Sequence, residues 1–227
     1  MRRYGLIVCV ALSAVAFAQP TGKIEKNKSG YYTAVGTFPL LPRTVVQGMA
    51  ATGFETIVKD RVNKFLGFAA EDLTEKPRAP WDHQSFVTLT MNSATLVSGM
   101  ATHYEYTGGA HPNTTYTCRT YGMKNGKAQR LRLTDICKPN SKPHAQVQAV
   151  IFGKLVKNEQ ATWVQEGTIS GMEPIQFDSF VVRKDGIEWV FAPYEMGPYA
   201  AGTVLCKLKW SEIPGLDHNG PLAHLIK

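Results

Sequence analysis

The sequence lacks the short motifs that usually mark nucleotide and metal sites. Its 227 residues contain no Gly-x-Gly-x-x-Gly run, no glycine-rich loop followed by Lys-Ser or Lys-Thr, and no Gly-x-Ser-x-Gly segment. The six histidines form no His-x-His or His-x-x-x-His pair, although zinc ligands are usually closely spaced. The sequence therefore predicts neither a metal ion nor a nucleotide cofactor.

Charge is also sparse and scattered. The chain has 25 basic and 18 acidic residues, which gives a formal net charge of +7. Because no basic run is interleaved with aromatic residues, the sequence predicts no nucleic-acid partner. A modest positive charge is consistent with attraction to anionic polymers of a cell envelope.

Long apolar runs are absent except at the N-terminus. Two arginines precede a mostly apolar stretch from Gly5 to Phe17, and the small residues up to Ala18 fit the rule for signal cleavage. A membrane anchor is the alternative, but this run is shorter than the roughly 20 residues that span a bilayer. We therefore predict a signal peptide at residues 1–18, then one exported domain at residues 19–227, in the periplasm or the medium, without a membrane span.

Cysteine is rare, and one of the four cysteines lies in the predicted signal peptide. An oxidising compartment favours one disulfide among the other three. Cys118 and Cys137 flank a predicted hairpin, so we predict that they form this bond. Cys206 alternates with polar residues and is expected to be buried and free. The alternative is that all three are reduced and packed as small hydrophobic residues.

The spacing of apolar residues changes between the strand period of two and the helical period of 3.6. The helical period predicts one helix from residue 43 to 66 and a second from 141 to 155. The period of two predicts strands at residues 31–38, 87–92, 96–106, 114–123, 129–133, 177–184, 187–191 and 203–210. Residues 19–30 are predicted to be a loose leader, and 69–82 and 158–174 to be connections. This order predicts an α+β fold, with an antiparallel sheet packed against two main helices.

A candidate binding segment lies where the strand of residues 96–106 ends in a glycine turn. Its candidate residues are Tyr104, Tyr106, Thr107, Gly108, Gly109 and His111. Glycines allow positive φ or a close approach to the backbone, and tyrosines offer apolar area with a polar tip. The alternatives are that the tyrosines pack in the core and that the histidine only fixes its own loop. The segment therefore indicates recognition and does not by itself indicate chemistry.

A second segment, residues 191–202, contributes the candidates Tyr194, Glu195 and Tyr199. The Tyr-x-Tyr-Thr-Gly-Gly-Ala-His segment, followed by Phe-x-x-Tyr-Glu and Pro-Tyr-Ala-x-Gly, resembles the domain of unknown function shared by the anti-sigma factor RsiV and the peptidoglycan deacetylase PdaC. Gly36-Thr37-Phe38-Pro39 adds to this resemblance. It implies that the two segments form one surface. It does not imply deacetylation, because the Asp-Asp and His-x-x-x-His motifs of the deacetylase domain are absent.

These observations favour an exported, non-enzymatic domain that binds a component of the cell envelope. The resemblance implies either a peptidoglycan-type glycan or a secreted protein such as lysozyme as the partner. Lysozymes are commonly basic, so their charge would oppose association with this basic chain. One alternative is an envelope hydrolase that uses His111, Glu105 or Glu195, and a tyrosine. Another is a structural component of the envelope.

Overall fold

The computed structural model describes residues 20–42 and 44–226. The predicted signal peptide lies outside these ranges. The strands are β1 (Thr21–Lys28), β2 (Tyr32–Pro39), β3 (Trp81–Asn92), β4 (Leu96–Tyr106), β5 (Asn113–Lys124), β6 (Lys127–Arg130), β7 (Phe180–Arg183), β8 (Gly186–Phe191) and β9 (Val204–Lys209). The helices are α1 (Val45–Asp72), α2 (Leu133–Ile136), α3 (Pro143–Leu155), α4 (Thr162–Gln165) and α5 (Pro174–Phe177). Short 3₁₀ turns cover Tyr199–Ala201, Trp210–Glu212 and Ala223–Leu225.

The α+β class is confirmed, but the prediction of an antiparallel sheet is wrong in two respects. Strands β1 to β6 form one sheet in chain order, and its β2–β3 pair is parallel. Helix α1 connects these two strands, because parallel neighbours need a long crossover and cannot be joined by a tight turn. Strands β7, β8 and β9 form a second, antiparallel sheet.

Helix α1 covers one face of the six-stranded sheet. Thr44 caps its start by accepting a hydrogen bond from the backbone N–H of Gln47 at 3.2 Å. Its buried residues recur at helical spacing and face the sheet: Val46, Ala50, Phe54, Val58, Val62, Phe65 and Ala69. Gly53 lowers helix propensity, yet any Cβ there would collide with the hydroxyl of Tyr121. The glycine is therefore required by the contact between α1 and β5.

The second sheet packs on the other face of β3, β4 and β5. Two hydrogen bonds hold the layers together. The Ser98 hydroxyl accepts from the backbone N–H of Val182 at 2.8 Å. The hydroxyls of Tyr116 and Thr203 lie 2.6 Å apart. Helix α3 completes this half, and its buried residues share a core with Trp189, Cys206 and Leu208.

Two predicted connections turn out to be structured. The polar leader forms β1, which pairs with β2 along its whole length, because an edge strand does not need an apolar pattern on both faces. The segment 158–174 contains α4 and buries Ala161, Val164 and Met172. Within the described ranges, no helix is long and apolar enough to cross a membrane.

The predicted disulfide between Cys118 and Cys137 is wrong. Both are free and buried, as is Cys206. After β6, the last hydrogen bond to β5 runs from the Leu131 N–H to the Thr120 carbonyl. The backbone then leaves the sheet and enters α2. Cys137 consequently lies in the core of the second half, while Cys118 packs with Val181 in another cluster. The prediction that Cys206 is buried and free is confirmed.

Candidate functional site

The loop between β4 and β5 carries the glycine-rich segment. Gly108 adopts φ +84°, a conformation that side chains disfavour. A Cβ at this position would lie 3.3 Å from the indole nitrogen of Trp81. Gly109 has open space around it, so packing alone does not require glycine there. The turn therefore depends on Gly108, and the rest of the loop projects into solvent.

The second segment follows β8 and is held in a strained conformation. Tyr194 adopts φ +71°, which is unusual for a residue with a bulky side chain. Its N–H donates to the Gly197 carbonyl at 3.0 Å, and the Glu195 carboxylate accepts from the N–H of Ala192 at 2.5 Å. A Cβ at Gly197 would lie 2.5 Å from the Gln160 carbonyl oxygen. These contacts fix the turn and direct the ring of Tyr194 outwards.

The structure brings the two predicted segments together. The rings of His111 and Tyr199 stack with centroids 3.7 Å apart and planes inclined by 19°. His111 Nδ1 lies 2.9 Å from the Pro112 carbonyl, which can only accept, so we assign the proton to Nδ1. Nε2 then accepts from the Tyr194 hydroxyl at 3.3 Å. Contacts across 83 residues of sequence therefore shape one surface.

Trp163 extends this surface, and the sequence analysis missed it. Its ring centroid lies 6.4 Å from that of Tyr194, and its backbone N–H donates to the Met196 carbonyl at 3.2 Å. A tryptophan within a segment that was predicted to be an exposed connection was the available signal. We call the group His111, Trp163, Tyr194 and Tyr199 the aromatic platform.

The other predicted binding residues on β4 and its loop differ in burial. Tyr104 and Tyr106 are half-buried, whereas Thr107 is exposed. Burial raises the pKa of the Tyr104 hydroxyl, with further contributions from Asp82 and Tyr199. Tyr104 is therefore within electrostatic reach of Tyr199, a member of the platform.

Glu195 has a local structural role in addition to any contact with a ligand. One of its carboxylate oxygens accepts from the Ala192 N–H, and the other lies 3.4 Å from the Gln176 side-chain nitrogen. Glu195 and Tyr194 also line a cavity of about 290 Å³. Since hydrogen bonds already engage both oxygens, the carboxylate closes its own turn.

A chain of polar side chains crosses the sheet beneath α1. From one end to the other, its members are Glu105, His83, Ser85, His103 and Thr117. Glu105 Oε2 lies 3.5 Å from His83 Nδ1, and His83 Nε2 lies 2.9 Å from Ser85 Oγ. Ser85 Oγ lies 2.8 Å from His103 Nδ1, and His103 Nε2 lies 3.2 Å from Thr117 Oγ1. This network satisfies most of its buried polar atoms, which would otherwise destabilise the fold. The exception is His83 Nδ1, which is buried without a hydrogen-bond partner and has the Glu105 carboxylate only at ion-pair distance.

Glu105, His83 and Ser85 of this network are connected in the order of a carboxylate–histidine–serine triad. Ser85 is only 2% exposed, and a second imidazole shares its hydroxyl. A nucleophile must be able to reach a substrate. Ser85 cannot do so in the observed conformation, because α1 packs over β3 and covers it. Within residues 20–42 and 44–226, no group of three or more His, Cys, Asp or Glu side chains could hold a metal ion.

Comparisons with known proteins agree with this fold. Residues 134–211 match the family described as "Protein of unknown function (DUF3298)". The immunogenic proteins MPT64 of Mycobacterium tuberculosis and MPB64 of Mycobacterium bovis are each 25% identical over 157 residues, which is 65% of this chain and 64% of theirs. The chain therefore matches less than two thirds of the length of these relatives.

Two crystal structures of DUF3298 family members are similar over most of the chain. The protein from Bacteroides fragilis has a TM-score of 0.57 at 16% identity and covers 92% of this chain and 98% of its own. The protein from Pseudomonas aeruginosa has a TM-score of 0.60 at 14% identity, with 87% and 94% covered. The chain thus has the fold of DUF3298 proteins, and its resemblance to a domain of unknown function of the type found in RsiV and PdaC is confirmed.

Proposed function

We propose that this chain is an exported, non-enzymatic domain that binds a glycan of the cell envelope through the aromatic platform. The stack of His111 on Tyr199, with Tyr194 half exposed beside it, is the observation that carries the proposal. The face of a sugar ring presents C–H groups that pack against aromatic rings, while its hydroxyls reach polar tips at the edge. The platform offers both kinds of contact.

The geometry favours binding over catalysis at this surface. The platform stands on a glycine turn and a strained loop, so its rings are held in place before a ligand arrives, which limits the entropy lost on binding. The platform itself consists of aromatic rings, and the carboxylate next to it in sequence, Glu195, is already hydrogen-bonded. The predicted signal peptide and the resemblance to a domain of envelope proteins suggest the compartment in which the ligand occurs.

Calorimetric titration with soluble peptidoglycan fragments tests the proposal, with lysozyme as a second ligand. We expect saturable binding of the fragments by the wild type and a loss of about fivefold or more in affinity for His111→Ala and Tyr199→Ala, because stacking contacts contribute about 1 kcal/mol or more. Phe86→Ala is the matched control, since Phe86 is an exposed aromatic residue on β3 outside the platform.

Three results would contradict the proposal. Saturable binding of lysozyme alone would assign the platform to a protein partner. No binding of either ligand would remove the envelope glycan from consideration. An equal loss of affinity in Phe86→Ala would show that binding does not depend on the platform.

A further inference from the structure

Strand β5 has an open edge at its N-terminal half. Its neighbour β6 pairs only with residues from Tyr121 to Lys124. The segment Asn113–Arg119 therefore pairs with β4 on one side and with no strand on the other among the described residues. We call this segment the β5 edge. Such an edge exposes backbone groups on which another strand can form.

The direction of the unpaired groups follows from the neighbouring hydrogen bonds. The Thr120 carbonyl points to the open side, where it accepts from the Leu131 N–H at 2.8 Å. Alternate residues of a strand point the same way, so the N–H and C=O groups of Thr114, Tyr116 and Cys118 do so too. The Arg119 side chain already donates to the Cys118 carbonyl at 2.8 Å. Thr114 and Tyr116 have no partner on this side in the described part of the chain.

The cavity of about 290 Å³ borders the β5 edge at Tyr116, one of the two residues with unpaired groups. Thr115 and Tyr116 form its wall on the sheet, and Phe191 and Pro193 form an apolar wall on the side of the second sheet. Arg61 of α1 lies at the other side. The space beside the β5 edge therefore has an apolar wall and a positive charge from Arg61. Gln176, Ser179 and the hydrogen-bonded carboxylate of Glu195 also line it.

Three arginines lie at or beside this edge. Arg61 lines the cavity, Arg119 ends the β5 edge, and Arg130 of β6 pairs with Tyr121 next to it. All 18 acidic side chains of the protein belong to the described ranges, and none lies within 4.0 Å of a nitrogen of these arginines. The Nε atom of Arg130 is buried without a hydrogen-bond partner. Two carboxylates in this region are already hydrogen-bonded. Asp178, whose charge affects Arg119, accepts from the Leu133 N–H, and Glu195, which lines the cavity with Arg61, accepts from the Ala192 N–H.

The electrostatic effects of these arginines agree with their lack of partners. Arg61 helps to lower the pKa of the buried His103, after the larger effect of burial. Burial, followed by the charge of Arg130, lowers the pKa of Arg119. Half-buried positive charges without carboxylates are unfavourable, and a negatively charged ligand would compensate them.

We propose that the β5 edge binds an extended acidic peptide segment as an added strand of the six-stranded sheet. The backbone of the peptide would pair with Thr114 and Tyr116. Its side chains would alternate between the arginines and the apolar wall of Phe191 and Pro193, since neighbouring side chains of a strand point to opposite faces. This site is distinct from the proposed glycan contact, although Tyr194 borders both.

The probe is an eight-residue peptide that alternates valine and glutamate, with both termini blocked, measured by calorimetry. The same peptide with lysine in place of glutamate is the charge control. Two further isomers carry N-methyl groups either on the valines or on the glutamates. In a paired strand, the N–H groups of either the valines or the glutamates face β5, but not both. We therefore expect only one of the two isomers to lose binding. This is the N-methylvaline isomer if the peptide pairs antiparallel to β5, and the N-methylglutamate isomer if it pairs parallel.

Two variants test the contribution of the protein. Arg61→Gln should weaken binding of the glutamate peptide about tenfold, because a charge-assisted contact is lost, whereas Lys64→Gln on the exposed face of α1 should not. Thr114→Pro removes an N–H on the open side while the bonds to β4 remain, and it should also weaken binding. Thermal unfolding checks that each variant is folded.

Four outcomes would overturn the proposal. These are equal binding of the lysine peptide, full binding of both N-methylated isomers, wild-type affinity of Arg61→Gln, and equally tight binding of hyaluronate, which would indicate a site for anionic polymers. His111→Ala keeps the β5 edge intact and should bind the peptide with wild-type affinity. A failure of the peptide proposal can thus be distinguished from a failure of the glycan proposal for the aromatic platform.

Discussion

The buried imidazole of His103 should make the protein sensitive to mild acid. The ring is 3% exposed and lies between the hydroxyls of Ser85 and Thr117. Burial, the charge of Arg61 and the nearby His83 lower the pKa of His103 from 6.5 to about 3. The folded state therefore holds this side chain neutral over a range in which the unfolded chain binds a proton.

The sign and size of the effect follow from proton linkage. Below pH 6.5 the unfolded state binds more protons at this site, so the free energy of unfolding falls as the pH falls, until the folded state is protonated near pH 3. Each pH unit in this range corresponds to about 1.4 kcal/mol. Acidification from pH 6.5 to 4.5 should thus remove about 2–3 kcal/mol through His103 alone.

Urea unfolding between pH 7.5 and 4.5 measures this loss. His103→Gln keeps an amide that can bond to Ser85 but does not titrate, so it should lose most of the slope between pH 6.5 and 4.5. Thr117→Val is the matched control, because it removes the same hydrogen bond and retains the imidazole. If His103→Gln keeps the wild-type slope, the histidine is not the group that destabilises the fold in acid.

Three further changes test the packing. Ser98→Ala should lower the free energy of unfolding by about 1–3 kcal/mol, because the buried N–H of Val182 loses its acceptor; a change below about 0.5 kcal/mol in urea titrations would contradict this contact. The three buried cysteines should resist iodoacetamide in the native protein and react after unfolding, since burial raises the pKa of each thiol to about 11 or 12. A reductant that lowers the melting temperature would instead reveal a disulfide. Tyr194→Gly should leave the free energy of unfolding within about 0.5 kcal/mol of the wild type, or raise it, because glycine tolerates the positive φ; a loss above about 1 kcal/mol would mean that the ring stabilises the fold.

Local signals were sufficient for much of the secondary structure. Asn125 and Gly126 adopt φ values of 51° and 73°, as expected for a tight hairpin turn, and they join β5 to β6. The helical spacing before Leu66 predicted α1, although the helix continues to Asp72. These patterns depend on residues within a few positions of each other, so they can be recognised without the fold.

Features that depend on distant contacts were not predictable in the same way. The parallel pairing of β2 with β3 depends on where α1 packs, and a strand pattern does not encode the direction of its neighbour. Trp163 joins the aromatic platform only because α4 lies against the turn at Met196. The resemblance did predict that the two candidate segments approach each other, because it relied on motifs far apart in the chain.

The strain at Tyr194 links the fold to the aromatic platform. A non-glycine residue in this backbone region is disfavoured by about 1–3 kcal/mol and persists only where surrounding contacts determine it. Those contacts come from Glu195 and from Gly197 packed against Gln160, all within or beside the region that matches the family. His111, in contrast, lies outside that region and arrives on the loop after β4. The strained turn thus supplies a fixed ring, and a surface loop supplies the partner that stacks beside it. If relatives of this fold bind different ligands, the difference should reside in the β4–β5 loop, while the turn at Tyr194 remains the common base of the surface.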